Sequence, residues 1–568
     1  LFRSIYVYGG NITTSAAVTT STTGNVLLQA SGDISISAAI SSAGTITGTA
    51  NNVGTSAALT AAKEISLIAN AGNVNINGNL TTTVSQKKIQ LKASGYIATQ
   101  AARTITTNGG AIVLWSDSGD SGAGYIRLYA GTTLNSVNGG VARTDSGGGD
   151  IILGGGSASA NGYPTGPAAS NTTSYPGIWT SQSGTASSIT KFYSGGGNIK
   201  FNGKSTSTLA GISFPYATTM WANGGQISLT GTNTGSGFGV SIMDTAIASN
   251  ASDFYSSSNT APAISITASS NSASSFLSST YANAANMVYL QATGTGGISI
   301  SGTMSSLVNT PEVGINGTNV LSAGPITINT SSTTWGYGGF FHNGLTSGAS
   351  TKGNSVYGYC DTTTCPLSQV TATSADITFN SNRQASYNGG TATVSFNTAG
   401  KFTLQPTATT GFVQMNLGDY RFSSDMTGLT IGKDQSTDTW ALSTPSNAWS
   451  IAGLIRMFSG TITVNNNLTS TSSSSGGILL KAPGDVVVTG GTSSAAQRVL
   501  QSNGQPITLW SNSDNAGTGA IYLDQYSAIN SAGGATTATA TGGAITLAGG
   551  ADANADGIPD GNALAPAT

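Results

Sequence analysis

GNVNINGNLTTTVSQKKIQLKASG, residues Gly72 to Gly95, returns far along the chain as GTITVNNNLTSTSSSSGGILLKAPG, residues Gly460 to Gly484. In both copies an aliphatic, a small polar residue and a second aliphatic recur, as in Val74 and Ile76 or Ile89 and Leu91. A period of two puts both aliphatics on one face and the polar residue on the other, the pattern of a short strand with one dry side. Gly, Asn, Ser and Thr fill the intervals, and no helical periodicity is present to carry an ordinary parallel crossover. Isolated strands this short cannot offset their ordering entropy. Coiling the chain so that each strand stacks on its equivalent one turn later supplies backbone partners and one continuous apolar interior. The stretch therefore predicts an all-β chain folded as a right-handed parallel β-helix, or β-solenoid.

The same unit spreads outward from this stretch, in NVLLQA (Val26, Leu28), DISIS (Ile34, Ile36), GQISLT (Ile227, Leu229), GGISIS (Ile298, Ile300), PITIN (Ile326, Ile328), DITFN (Ile377, Phe379) and AITLA (Ile545, Leu547). At roughly 20 residues per coil the chain holds about 28 coils, stacked at about 4.8 Å. Small side chains suit tight corners, and Asn or Thr can form ladders along the axis. Three segments are expected: 1–163 and 428–568, where the repeat is regular, and 164–427, a less regular solenoid with longer aromatic-rich loops.

Composition narrows the function classes. Of 568 residues only 19 are Lys or Arg and 21 Asp or Glu, with net charge −2; no basic face exists for a phosphate backbone, so nucleic acid is not an expected partner. The regular aliphatic positions argue against disorder. No apolar run is long enough to span a bilayer, and LFRSIYVYGG lacks the features of a signal peptide. Leu1 falls within a repeat, so the sequence reads as an excerpt of a larger polypeptide.

A longer period is also present. Gly10 to Gly32 forms a third copy of the opening stretch; TTNGGAIVLWSDSGDSGAGYIRLYA from Thr106 aligns with QSNGQPITLWSNSDNAGTGAIYLDQ from Gln501, and GGGDIILGGG from Gly147 with TGGAITLAGG from Thr541. With GLTIGKD, Gly428 to Asp434, this string resembles the repeat of filamentous haemagglutinin-like β-strand-repeat proteins, the large surface proteins of Gram-negative bacteria. The resemblance covers Leu1 to about Tyr163 and Gly428 to Gly561. It implies export, an extracellular location at the bacterial cell surface, and adhesive or filament-forming roles; separately, the unpaired strand edges of end coils suggest a homo-oligomer or fibre by end-to-end packing. The resemblance supplies no ligand.

The chain's own copies control the reading of candidate sites. Asp117 and Asp120 suggest paired carboxylates, but Asn512 and Asn515 align with them, which favours a turn held by Asx hydrogen bonds. In ADANADGIPDG, Asp552, Asn554, Asp556 and Asp560 alternate around Gly557 as in calcium loops; the aligned SASANGYPTG has lost the acids. Calcium is thus a possible ligand, and no cofactor is required. Cys360 and Cys365 are placed to close a small disulfide loop, as in an oxidising compartment. Trp115 and Trp510 align and read as covers of the coil's apolar edge. Trp179, Trp221, Trp335, Tyr357 and Tyr359 are candidate contacts for carbohydrate or another cell-surface ligand, because exposed aromatics offer contact area at low entropy cost. His342, the single histidine, has no sequence-near triad partners, and the acids are scattered. The chain therefore reads as a structural protein and not an enzyme, with a polysaccharide lyase or hydrolase on the same scaffold as the alternative. An ice-binding surface would need a flat, regular Thr array, and the Thr spacing is too irregular for one.

Overall fold

The computed structural model describes Arg3 to Leu564 except residues 138–139, 181–188, 245–251, 272–273, 281–287, 306–311, 332–339, 343–353, 363–368, 387–392, 408–411, 413, 419, 435–439, 445–446 and 534–540. No α-helix occurs among the described residues, and every stacking of one coil on the next is parallel. The chain is a parallel β-helix. It divides into two compact units, Leu1–Ser306 with Gly317–Asn319, and Leu307–Asn316 with Val320–Thr568. Their boundary lies inside the segment 164–427, where the sequence repeat is less regular.

In the first unit each coil contributes one strand to each of three faces. The coil of the opening stretch runs Ile65–Ala69, Val74–Ile76, Leu80–Thr82, and stacks in register on both neighbours: Ile65 and Leu67 lie over Ile89 and Leu91, Val74 over Ile97, Leu80 over Ile105. All these side chains are buried. On the first face the described strands begin at Ile5, Val26, Ile46, Ile65, Ile89, Ile112, Ile151, Ile199, Ile227, Ile264 and Ile298. The starts draw apart after Ile112, since corners there carry longer loops and four strands, among them Ile199–Ser205 and Ile227–Asn233, extend to seven residues. A uniform coil of about 20 residues therefore overestimates the number of coils.

Two ladders bind successive coils at their corners. Before the second face, Asn11 Oδ1 accepts the Asp33 amide at 2.8 Å, Asn52 Oδ1 the Asn73 amide at 2.9 Å, and Asn73 Oδ1 the Tyr96 amide at 2.9 Å. After the third face, buried hydroxyls donate to carbonyls at the return to the first: Thr20 to Gly24 at 2.7 Å, Ser42 to Thr45 at 3.0 Å, Thr82 to Lys87 at 3.0 Å, Ser194 to Gly197 at 2.5 Å. These corners turn too sharply for strand pairing, and side chains take up the backbone groups it leaves free.

In the second unit the first face runs through strands beginning at Ile326, Ile377, Lys401, Gly428, Leu454, Ile478, Ile507 and Ile545. The other two faces form separate stacks on either side of residues 435–439, one pair ending at Gln414–Asn416 and Tyr420–Phe422, the next beginning at Ala441–Ser443 and Trp449–Ile451. Rings fill this interior: Phe396 stacks on Tyr357 at 5.0 Å and meets Phe402 at 4.5 Å, and Trp449 meets Phe422 at 5.0 Å. With Phe192, Phe214, Phe254 and Phe276 buried in the first unit, much of the middle segment's aromatic content lies inside the coils. Inward positions there take rings beside the Ile and Leu that fill the regular segments.

Candidate functional site

On the second face of the first unit the outward positions of stacked strands form a row, Asn75, Ala98, Arg127 and Trp179. Alanine, with nothing beyond Cβ, opens a depression of about 320 Å³ between Asn75 and Arg127. Beside the row runs a column of rings. Tyr96 and Tyr125 each precede an inward isoleucine, and their rings stack at 4.9 Å and 9° from parallel; Tyr175 continues the column at 4.6 Å from Tyr125 and meets Trp179 at 5.7 Å. The coil spacing sets this ring spacing, because equivalent positions recur about 4.8 Å apart.

Arg127 crosses the end of the depression. Its guanidinium lies 3.8 Å from the Tyr129 ring centre, 4.8 Å from that of Tyr175 and 5.0 Å from that of Trp179, and one Nη donates to Tyr175 Oη at 3.1 Å. Its Nε is buried without a hydrogen-bond partner. Burial, with the neighbouring phenols Tyr96 and Tyr175 adding to it, pushes the Tyr125 hydroxyl up to about 12, so it stays a neutral donor. Among the described residues Arg127 is the only formally charged one lining the depression.

No protein-family model, curated protein or solved structure matches this chain. Its chemistry is read from its own geometry.

Trp179, a sequence candidate for contact, is thus half-buried beside the depression. Trp221, another, is engaged from above. The loop after Thr133–Asn135 folds over the third face and carries Arg143 onto later coils, where it pairs with Asp253 at 2.5 Å and donates to Gln291 at 2.9 Å. Trp221 Nε1 donates to the same Asp253 at 2.8 Å, and its ring lies 4.9 Å from Tyr193. This is a clasp across stacked coils. Burial, then Asp253, pushes Tyr193 up to about 12.

Tyr357 is no surface contact: it is wholly buried among Phe379 and Phe396, since its strand Ser355–Gly358 turns it inward. Tyr359 is half-buried and its backbone pairs with Thr371. Trp335 and Cys365 lie outside the described residues; Cys360 is buried and disulfide-bonded.

In the acidic loop the carboxylates hold the backbone. Asp552 accepts the Asp556 and Gly557 amides at 3.0 and 2.8 Å, Asp556 the Ile558 amide at 2.8 Å, and Asp560 the Ala553 amide at 2.8 Å; Asn554 Oδ1 accepts the Asp556 amide at 3.0 Å. Among the described residues no group of three or more His, Cys, Asp or Glu is placed to hold a metal.

Aligned modules repeat their geometry. Trp115 donates to Gly156 at 2.8 Å and Trp510 to Gly550 at 2.7 Å, with Lys92 and Lys481 each 4.0 Å above the ring. The buried corner hydroxyls Thr20, Thr82 and Ser470 occupy one position of the three copies. That alignment is the signal by which the ladder could have been found in the sequence.

Proposed function

We propose that this chain is a secreted structural protein of the bacterial cell surface, of the filamentous haemagglutinin-like kind, whose coils stack between copies into a filament for adhesion or cell-cell contact. One comparison inside the molecule carries the reading. Ile151 and Leu153 begin the closing strand of the first long module, and Ile545 and Leu547 occupy the same place in the second. Ile151 and Leu153 are buried because Ile199–Ser205 stacks upon them. Ile545 and Leu547 stack on Ile507 and Leu509 as Ile151 and Leu153 stack on Ile112 and Leu114, so the long module repeats its stacking as well as its sequence.

Stacking of end coils between copies, by parallel strand addition, is the assembly that this repetition suits. The disulfide at Cys360 suits an oxidising, extracellular compartment.

Analytical ultracentrifugation and negative-stain electron microscopy of the full chain over a concentration series test this. Concentration-dependent, end-joined species are expected, with the β-type circular dichroism unchanged between dilute and assembled material. Strictly monomeric material at every concentration, or turnover of polysaccharide by that material, overturns the reading.

A further inference from the structure

We propose that the depression between Asn75 and Arg127 is a binding site for a carboxylated glycan, a polymer or oligomer containing uronate-type sugars. Arg127 supplies the charge. Its guanidinium is held on three rings yet makes one hydrogen bond, to Tyr175, and among the described residues it pairs with no carboxylate. The planar fork with unused N–H groups fits a carboxylate through two parallel bonds. A sulfated or phosphorylated polymer would draw on several cations, and among the described residues only one lines this depression.

The remaining lining is neutral and amphipathic, as sugar rings require. The amide side chains of Asn75, Asn77 and Gln100 line it, offering donors and acceptors together for vicinal hydroxyls. Phenol rings present apolar area to C–H faces, and the Tyr125 hydroxyl, ionising only near 12, brings no negative charge against an anion. An acidic peptide would bind more naturally by adding a strand to an open edge, whereas the strands beneath this depression, Ile97–Thr99 and Ile126–Leu128, are paired on both sides. The coils fix every wall of the site in advance, so binding costs little ordering. None of this depends on filament formation.

The test is calorimetric titration of the full chain at a concentration at which ultracentrifugation finds a single species, which removes assembly as a variable. The probes are galacturonate, glucuronate and guluronate oligomers, a methyl-esterified galacturonate oligomer, a sulfated heparin-type oligosaccharide and poly-glutamate. At least one uronate oligomer is expected to bind saturably and to quench Trp179. Its affinity falls at least about tenfold with Arg127→Gln, or with Ala98→Tyr, which fills the depression from an outward position. Trp179→Phe, which keeps a ring against Arg127, removes the fluorescence change. The proposal is overturned if no uronate oligomer binds, if the ester, the sulfated sugar or poly-glutamate binds as well or better, or if folded Arg127→Gln and Ala98→Tyr proteins keep full affinity.

Discussion

Ser194 sits fully buried where the third face returns to the first, and its hydroxyl donates to the Gly197 carbonyl at 2.5 Å. Its equivalents Thr20, Ser42, Thr82 and Ser136 do the same in other coils. A buried carbonyl deprived of its partner keeps its desolvation penalty, so Ser194→Ala should cost about 1–2 kcal/mol, against about 0.5 kcal/mol or less for an outward serine such as Ser228→Ala. Urea unfolding of both variants beside the parent measures the difference; equal midpoints would deny the ladder a stabilising role. These hydroxyls were not legible in single strands, where Ser and Thr look like solvent-facing fill. Arg143 was hidden for another reason: Asp253 and Gln291 lie 110 and 148 residues away, and no local pattern marks a pairing that coiling creates.

The turn after each tryptophan strand shows what an element asks of its residues. Asp117 and Asn512 adopt left-handed φ of 48° and 50°, and Asp120 and Asn515 of 57° and 58°. Asp117 Oδ1 accepts the Gly122 amide at 3.1 Å, and Asn512 Oδ1 the aligned Gly517 amide at 3.1 Å. The left-handed turn and this bond survive the change from acid to amide, as expected of the Asx turn that the aligned copies suggest. Asp117→Asn should therefore shift stability by under about 1 kcal/mol, while Asp117→Val, unable to accept the amide and disfavoured at positive φ, should cost about 2–4 kcal/mol. Thermal melts of both variants decide it. The strands themselves were legible because the two-residue alternation is enforced by the dry interior, as in Val74 and Ile76. The aromatic platform was legible only in part: Trp179 stood out as a residue type, but Tyr96, Tyr125 and Arg127 belong to different coils, and their juxtaposition depends on coil lengths that the corner loops set.

At the scale of the whole molecule, stacking explains both the scarcity of charge and the way stability is distributed. Equivalent side chains recur about 4.8 Å apart along a face, where like charges would repel; instead Lys92 lies over Trp115 and Lys481 over Trp510 of the following coil. Each coil of a unit gains its burial from the two beside it, so stability is a sum of nearest-neighbour interfaces. Leu67 tests this. It is fully buried, stacked between Gly48 and Leu91, and Leu67→Ala should open a cavity costing about 2–5 kcal/mol. In hydrogen exchange read by mass spectrometry, protection should fall in peptides covering Ile46–Ala50, Ile65–Ala69 and Ile89–Ala93, and hold in Ile227–Asn233 of the same unit. A uniform loss across the unit would mean that its coils unfold as one body, and burial would then have to be reckoned for the unit as a whole instead of coil by coil.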